Sequence, residues 1–202
     1  MQIDEMISAV QKKLGITVDG RAGPETWGAI YTQIVKPKVD AMAPAAAISE
    51  VDARSEKVIA TLQPPVRPMA RALVQKAALN GIQIRIISGL RSYAEQNALY
   101  AQGRTLAGRK VTNARGGYSN HNFGIAFDVG VFEGARYLGE SPKYKAVGAL
   151  GMELGLEWGG SWKTIIDEPH FQLRRAWAAG LSERQMLAQM RSFVADDRPV
   201  FA

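Results

Sequence analysis

Isoleucine alternates with polar residues at Ile82, Ile84 and Ile86, and this period of two predicts a half-buried strand that stops at Ser88-Gly89. Upstream, Met69, Leu73, Val74 and Ala77 recur at helical spacing and end at Asn80-Gly81, a helix stop. The apolar run from Ile125 to Val131 predicts a second strand, and His170 to Leu173 a third. Ser92 with Glu95 makes a capping box for a helix running to about Gly103, and Ser141-Pro142 opens another that ends near Gly155. A further capping box, Ser182 with Gln185, precedes a C-terminal helix carrying Met186, Leu187, Met190 and Phe193. Helices and strands mixed in this order predict an α+β domain, a small antiparallel sheet with flanking helices.

The N-terminal stretch reads differently. Ile3, Met6, Ile7, Val10 and Leu14 fall on one helical face, with Gly15 placed to end the helix. Asp19-Gly20 and Gly23-Pro24 are turn signals, and Pro24 suits the first turn of a second helix carrying Trp27, Ile30 and Ile34. Residues 36–50 are rich in Ala and Pro with weak periodicity, the mark of a linker. The expected organisation is a small all-α module over 1–36, a linker over 37–60 and the α+β domain with its C-terminal helix over 61–202.

With 202 residues, 47% of them hydrophobic and 22% charged, the chain has room for one medium domain plus that small module. The opening MQIDEMISAVQKKL has no basic segment followed by an apolar core, so no signal peptide is expected. No stretch reaches the apolar length that crosses a bilayer. The expectation is synthesis in the cytoplasm, with release by something else if the protein works outside it. A formal net charge of +6 favours polyanions such as nucleic acid, an anionic membrane or an anionic cell wall, without choosing among them. No nucleic-acid recognition motif accompanies the charge, so no nucleic-acid partner is expected. A monomer is the default.

Cysteine count changes the picture more. There are none, which removes disulfides and thiolate metal sites and leaves His and carboxylate as the only strong ligands for a transition metal. The chain has two histidines, one in Ser119-Asn120-His121-Asn122-Phe123-Gly124-Ile125-Ala126-Phe127-Asp128, the other in Asp167-Glu168-Pro169-His170-Phe171-Gln172. His121, Asp128 and His170 can supply the three ligands of an open hydrolytic zinc site if the two strands lie side by side. Spacing alone leaves this open against a satisfied core histidine.

Three segments, SGLRSYAEQNALYAQGRT, VTNARGGYSNHNFGIAFDVGVF and GLEWGGSWKTIIDEPHFQ, resemble the zinc D-Ala-D-Ala carboxypeptidase and L-alanyl-D-glutamate endopeptidase family. The similarity spans about residues 80–173, and WGGSWKT and HNFGIAFD lean toward the endopeptidase branch of phage endolysins and wall hydrolases. The resemblance implies the hedgehog/DD-peptidase-like fold, Zn2+ as cofactor and bacterial peptidoglycan as substrate. It implies His121, Asp128 and His170 as zinc ligands, and an acid/base carboxylate three residues before the last ligand, at Asp167. Strand alternation instead places Glu168 on the face of His170, unless Pro169 breaks the strand. Arg91 matches the family's substrate-side arginine and Ser119 a substrate-contacting position. Trp158 and Trp162 are candidates to wall the cleft, and Asn113 and Arg115 are weaker candidates.

Residues 2–35 resemble the small three-helix peptidoglycan-binding domain, with any third helix to come from the 36–60 region. The C-terminal helix is expected to dock on the main domain or to touch anionic membrane. The functional expectation is an endolysin-like enzyme cutting between L-Ala and D-Glu of the stem peptide. The alternatives are a D,D-carboxypeptidase and a wall-binding protein without catalysis.

Overall fold

The computed structural model describes residues 2–30 and 50–200, and the chain divides into two compact units that separate these two stretches. Ile34 and the linker over residues 36–49 lie outside the described residues.

In the first unit, α1 (Ile3–Leu14) ends on Gly15, whose φ of 70° is the left-handed conformation a helix stop asks of glycine. A loop leads to α2 (Pro24–Ile30). The loop is held by one buried side chain: Gln11 Nε2 donates to Asp19 Oδ1 at 2.7 Å and Thr26 Oγ1 at 2.9 Å. Gln11 Oε1 accepts from the backbone N–H groups of Asp19 and Gly20. Much of the apolar face of this unit is exposed, with Ile3 at 73% and Trp27 at 60%. Among the described residues of this unit the buried side chains are polar, Gln11 and Thr26.

The second unit starts before the expected boundary. Residues 53–60, assigned to the linker from sequence, form helix α3 (Ala53–Ala60), capped by Asp52. Ile59 is buried in the main core, and Ser55 Oγ, itself buried, accepts the backbone N–H of Ile86. The helix therefore belongs to this unit rather than serving as the third helix of the first. Burial raises the pKa of Asp52, but hydrogen bonds from Ser55 and the helix N–H groups outweigh it and hold the carboxyl below its ordinary value. Its capping contribution is thus present at neutral pH and lost as pH falls through that depressed value.

After α4 (Arg67–Leu79) comes β1 (Gln83–Ser88), then α5 (Tyr93–Ala101), a 3-10 turn (Asn120–Phe123) and the long strand β2 (Ala126–Glu133). Next are β3 (Arg136–Leu138), α6 (Lys143–Glu153), β4 (Glu157–Trp158), β5 (His170–Gln172) and α7 (Glu183–Ala195). The strands of the sheet pair antiparallel, in the order β1-β2-β5-β4 with β3 also on β2, so the α+β reading with a small antiparallel sheet and flanking helices describes this unit. Alternation along the strands sends Ile84, Ile86, Phe127, Val129, Val131 and Phe171 into one core with α4 and α6. It sends Asp128, His170 and Gln172 to the opposite face.

Helix α6 lies unusually close to the sheet. A Cβ on Gly148 would stand 2.3 Å from the Trp158 ring, and one on Gly151 would stand 2.4 Å from Phe171. Alanine in a helix is favoured over glycine by about 0.5–1 kcal/mol, whereas overpacking costs about 1–3 kcal/mol. Trp158 cannot retreat easily, because its Nε1–H donates to the Glu168 carbonyl at 2.7 Å. Gly148→Ala is therefore expected to destabilise the protein, read as a lower urea midpoint with an unchanged slope.

Helix α7 packs Met186, Leu187 and Met190 against Phe123, Ile125 and Ala178, a second core behind the 3-10 turn. Its apolar face docks on this unit, which leaves that face unavailable for the membrane contact considered from sequence. Among the described residues no helix is long and apolar enough to cross a membrane.

Candidate active site

The β2–β5 register puts Asp128 directly opposite His170, and β1 brings Ser88 opposite Asp128 on the other side. Between Ile86 and Ser88 the β1 register shifts by one residue, a bulge beside the site of the kind that re-aims a strand end. His121 arrives from the 3-10 turn. Its backbone carbonyl accepts the N–H of Arg91, and its ring Nδ1 lies 2.8 Å from the Gly89 carbonyl. Gly89 has to be glycine: a Cβ there would meet Thr61 Oγ1 at 2.7 Å and Val58 Cγ1 at 3.0 Å, on and just after α3.

Three donor atoms converge. His121 Nε2 is 3.2 Å from Asp128 Oδ1 and 3.3 Å from His170 Nδ1, and His170 Nδ1 is 3.3 Å from Asp128 Oδ1. The tautomers follow from the outer partners. A carbonyl only accepts, so His121 carries its proton on Nδ1 and presents a lone pair at Nε2. His170 Nε2 is 3.0 Å from Gln172 Oε1, and Gln172 Nε2 donates to Glu157 Oε2 at 2.6 Å, which fixes that amide's orientation. His170 therefore carries its proton on Nε2 and presents a lone pair at Nδ1. Three lone pairs, one of them on an anion, face a common point in a site where both rings are buried.

Such an arrangement asks for a cation. The three groups form a cluster able to hold a metal ion, with all ligand atoms within 4.8 Å of one another. A tetrahedral zinc with bonds of about 2.0–2.1 Å holds its ligand atoms about 3.3–3.4 Å apart. The observed triangle fits zinc without rearrangement. Burial works against a charged His170, but the hydrogen bond and charge of Asp128 outweigh it and raise the His170 pKa. Asp128 is only partly exposed, and His121 and His170 hold its pKa far below the ordinary carboxylate value.

Arg91 was expected on the substrate side. It lines the cleft, but its guanidinium is also committed within the protein. Nη2 donates to Asp128 Oδ2 at 3.2 Å and Ser88 Oγ at 2.9 Å, while Nη1 donates to Gln96 Oε1 at 2.8 Å. By occupying Oδ2 it leaves Asp128 a single oxygen, Oδ1, for the common point.

Asp167 and Glu168 separate cleanly. The His170 N–H bonds the Asp167 carbonyl at 3.2 Å, so Glu168 and Pro169 form the corner of a tight turn. Alternation does not apply across a turn: Asp167 lines the cleft with His170, whereas Glu168 lines a different cavity beside Ser141. Burial and the negative charge of Asp128 push the Asp167 pKa up, against a pull down from His170, His121 and Arg91. The turn is seated on Gly159, whose carbonyl takes the Asp167 N–H at 3.1 Å. A Cβ on Gly159 would come within 2.5 Å of the Asp167 carbonyl oxygen, which is the physical reason for glycine in Trp158-Gly159-Gly160.

The cleft itself holds about 850 Å³ and opens over these groups. Ser119, Asn113 and Trp162 line it, and the Trp162 ring sits 5.0 Å from the His170 ring, centroid to centroid. Trp158 is buried and lines a neighbouring cavity. Arg115 is not among the lining residues and lies over the Tyr100 ring instead. Sequence reasoning missed Gln172, although a polar residue in an otherwise apolar strand was a signal. It also missed Asn120, Glu157, Arg174 and Glu183, for which no local signal exists.

Residues 112–173 match the family described as D-alanyl-D-alanine carboxypeptidase. The chain is 40% identical over 124 residues to the peptidoglycan L-alanyl-D-glutamate endopeptidase CwlK of Bacillus subtilis (strain 168), covering 55% of this chain and 73% of CwlK. Among solved structures it is similar to the Serratia marcescens L-Ala D-Glu endopeptidase ChiX, at 28% identity and a TM-score of 0.47 over 60% of this chain and 87% of ChiX. It is also similar to an L,D-carboxypeptidase, DacB, from Streptococcus pneumonia, at 23% identity and a TM-score of 0.46 over 63% of this chain and 72% of DacB. The identity to CwlK over nearly three quarters of that enzyme, together with the match at 112–173, places this chain in the family of peptidoglycan peptidases that includes D-alanyl-D-alanine carboxypeptidases and L-alanyl-D-glutamate endopeptidases.

Proposed function

We propose that this peptidoglycan hydrolase uses a zinc ion held by His121, Asp128 and His170 to cleave the L-Ala–D-Glu bond of stem peptides. The observation that carries the zinc reading is the convergence of three lone pairs on one point at a spacing zinc accepts. When bound there, zinc supplies Lewis-acid polarisation of a carbonyl and lowers the pKa of water toward about 7.

The chain's residues do the rest. Asp167, next to the ligands and facing the cleft, takes a proton from the attacking water and delivers it to the leaving amine. Arg91 holds Asp128 in place and adds positive charge to the cleft wall where negative charge develops. Trp162 and Ser119 shape the approach of the peptide. The choice of bond rests on CwlK, which is named for it, and on the WGGSWKT and HNFGIAFD wording, which also supports endolysin-type lysis. The unit over 2–30 is proposed to tether the enzyme to the wall, raising its local concentration on a polymer.

Mass spectrometry of digested cell wall tests the bond. New fragments with an N-terminal Glu are expected, and release of free D-Ala in their place would replace this reading with the carboxypeptidase one.

A further inference from the structure

Five side chains close a ring next to His170. Gln172 Oε1 accepts from His170 Nε2–H and from Asn120 Nδ2 at 2.5 Å. Asn120 Nδ2 also donates to Glu183 Oε1. Glu183 Oε2 accepts from Arg174 Nη2 at 2.9 Å, Arg174 Nε donates to Glu157 Oε1, and Glu157 Oε2 takes the Gln172 amide at 2.6 Å. The circuit joins the 3-10 turn, β4, β5, the segment after β5 and the first residue of α7.

Every bond in the ring has a fixed direction. Both carboxylates only accept and the guanidinium only donates, so Gln172 must turn its N–H2 to Glu157 and its oxygen to His170. That orientation selects the His170 tautomer with its lone pair on Nδ1. A second observation points the same way. Asn120 is buried, sends its N–H2 into the ring, and its Oδ1 has no hydrogen-bond partner. An unpaired buried oxygen is a cost that folding alone gives no reason to keep.

We propose that this ring positions His170 as a metal ligand, with Gln172 acting on it directly and Glu183, at the start of the C-terminal helix, acting through Asn120 and Arg174. The inference rests on the zinc reading above. Loss of an outer partner of a metal-bound histidine lowers metal affinity by about 10–100-fold. Glu183 and Arg174 are partly exposed, so Glu183→Gln disturbs the ring without opening a cavity.

The test is zinc affinity of the full chain, measured by competition with a chelating indicator, alongside circular dichroism of the metal-free protein. Gln172→Leu is expected to bind zinc about 10–100-fold more weakly, and Glu183→Gln more weakly than wild type but less so. In the Gln172→Leu background Glu183→Gln is expected to have no further effect, because its path to His170 is already cut. Native-like dichroism with affinities unchanged within twofold would overturn the ring proposal, as would additive effects in the double variant. Should Gln172→Leu not fold, the Glu183→Gln affinity alone decides, an unchanged value overturning the proposal. Wild-type protein that takes up no zinc would overturn the zinc reading and this proposal together, whereas tight wild-type binding with an unaffected Gln172→Leu sinks the ring alone.

Discussion

Asp167→Asn is expected to leave a folded, zinc-binding protein whose wall-hydrolysing rate falls by about 10²–10⁴-fold, the usual contribution of a positioned acid/base group. Asparagine keeps the shape of the side chain and the tight turn seated on Gly159, but it cannot accept the proton. The same change has an opposite effect on stability. Burial and Asp128 raise the folded pKa of Asp167 above its unfolded value. The folded chain therefore holds this proton more tightly than the unfolded chain, and ionising the group at neutral pH works against folding. That penalty is absent below the unfolded pKa and sets in as pH rises through the folded one. The metal-free Asp167→Asn protein should accordingly melt higher than metal-free wild type at pH 7, and the gap should close in acid. Rate measurements on purified wall and thermal melts of the chelated proteins check both halves. A variant that loses activity and also melts lower would mean that Asp167 supports structure instead.

His121→Ala is expected to abolish zinc uptake at micromolar metal and to reduce lysis to the level of chelator-treated wild type. The reason is geometric: His121 Nε2 is one corner of the ligand triangle, and its removal leaves Asp128 and His170 with two donors. Two ligands from one β2–β5 pair cannot define the open three-ligand site that catalytic zinc uses. Metal analysis after gel filtration and turbidity loss on isolated wall measure this directly. His121 lies next to Asn120 and its ring is buried, so dichroism of the variant has to accompany the result. Retained stoichiometric zinc in a folded His121→Ala protein would move the metal elsewhere.

How much of this was readable in the sequence depends on the range of each interaction. The strands carrying Asp128 and His170 announced themselves by period and apolar content, because alternation is local. Their pairing needed the fold, but two histidines and no cysteine left few ways to build a metal site. Helix α3 was missed because its signals, Asp52 as cap and Ile59 on the inner face, directly follow an Ala- and Pro-rich stretch that reads as linker. The Asp167 question was not decidable from alternation: Pro169 sits in a turn, and a turn resets which side a residue faces. The commitment of Arg91 to Asp128 joins residues 37 apart in the chain and was invisible locally. The ring around Gln172 joins residues from 120 to 183, and no spacing rule connects them.

The apolar face of α1 is the opposite lesson. Its periodicity is as good as that of α4, yet Ile3 is exposed while Leu73 is buried. Periodicity reports which face a helix offers, not whether that face is covered.

The account depends most on one metal ion bound by two imidazoles and a single carboxylate oxygen. X-ray absorption at the zinc edge of the loaded wild-type protein examines that shell most directly. About four light-atom ligands at about 2.0–2.1 Å, with multiple-scattering features of two imidazoles, is the predicted result. A six-oxygen shell, or a signal from one imidazole or none, would place zinc outside the site of His121, Asp128 and His170 and contradict the account.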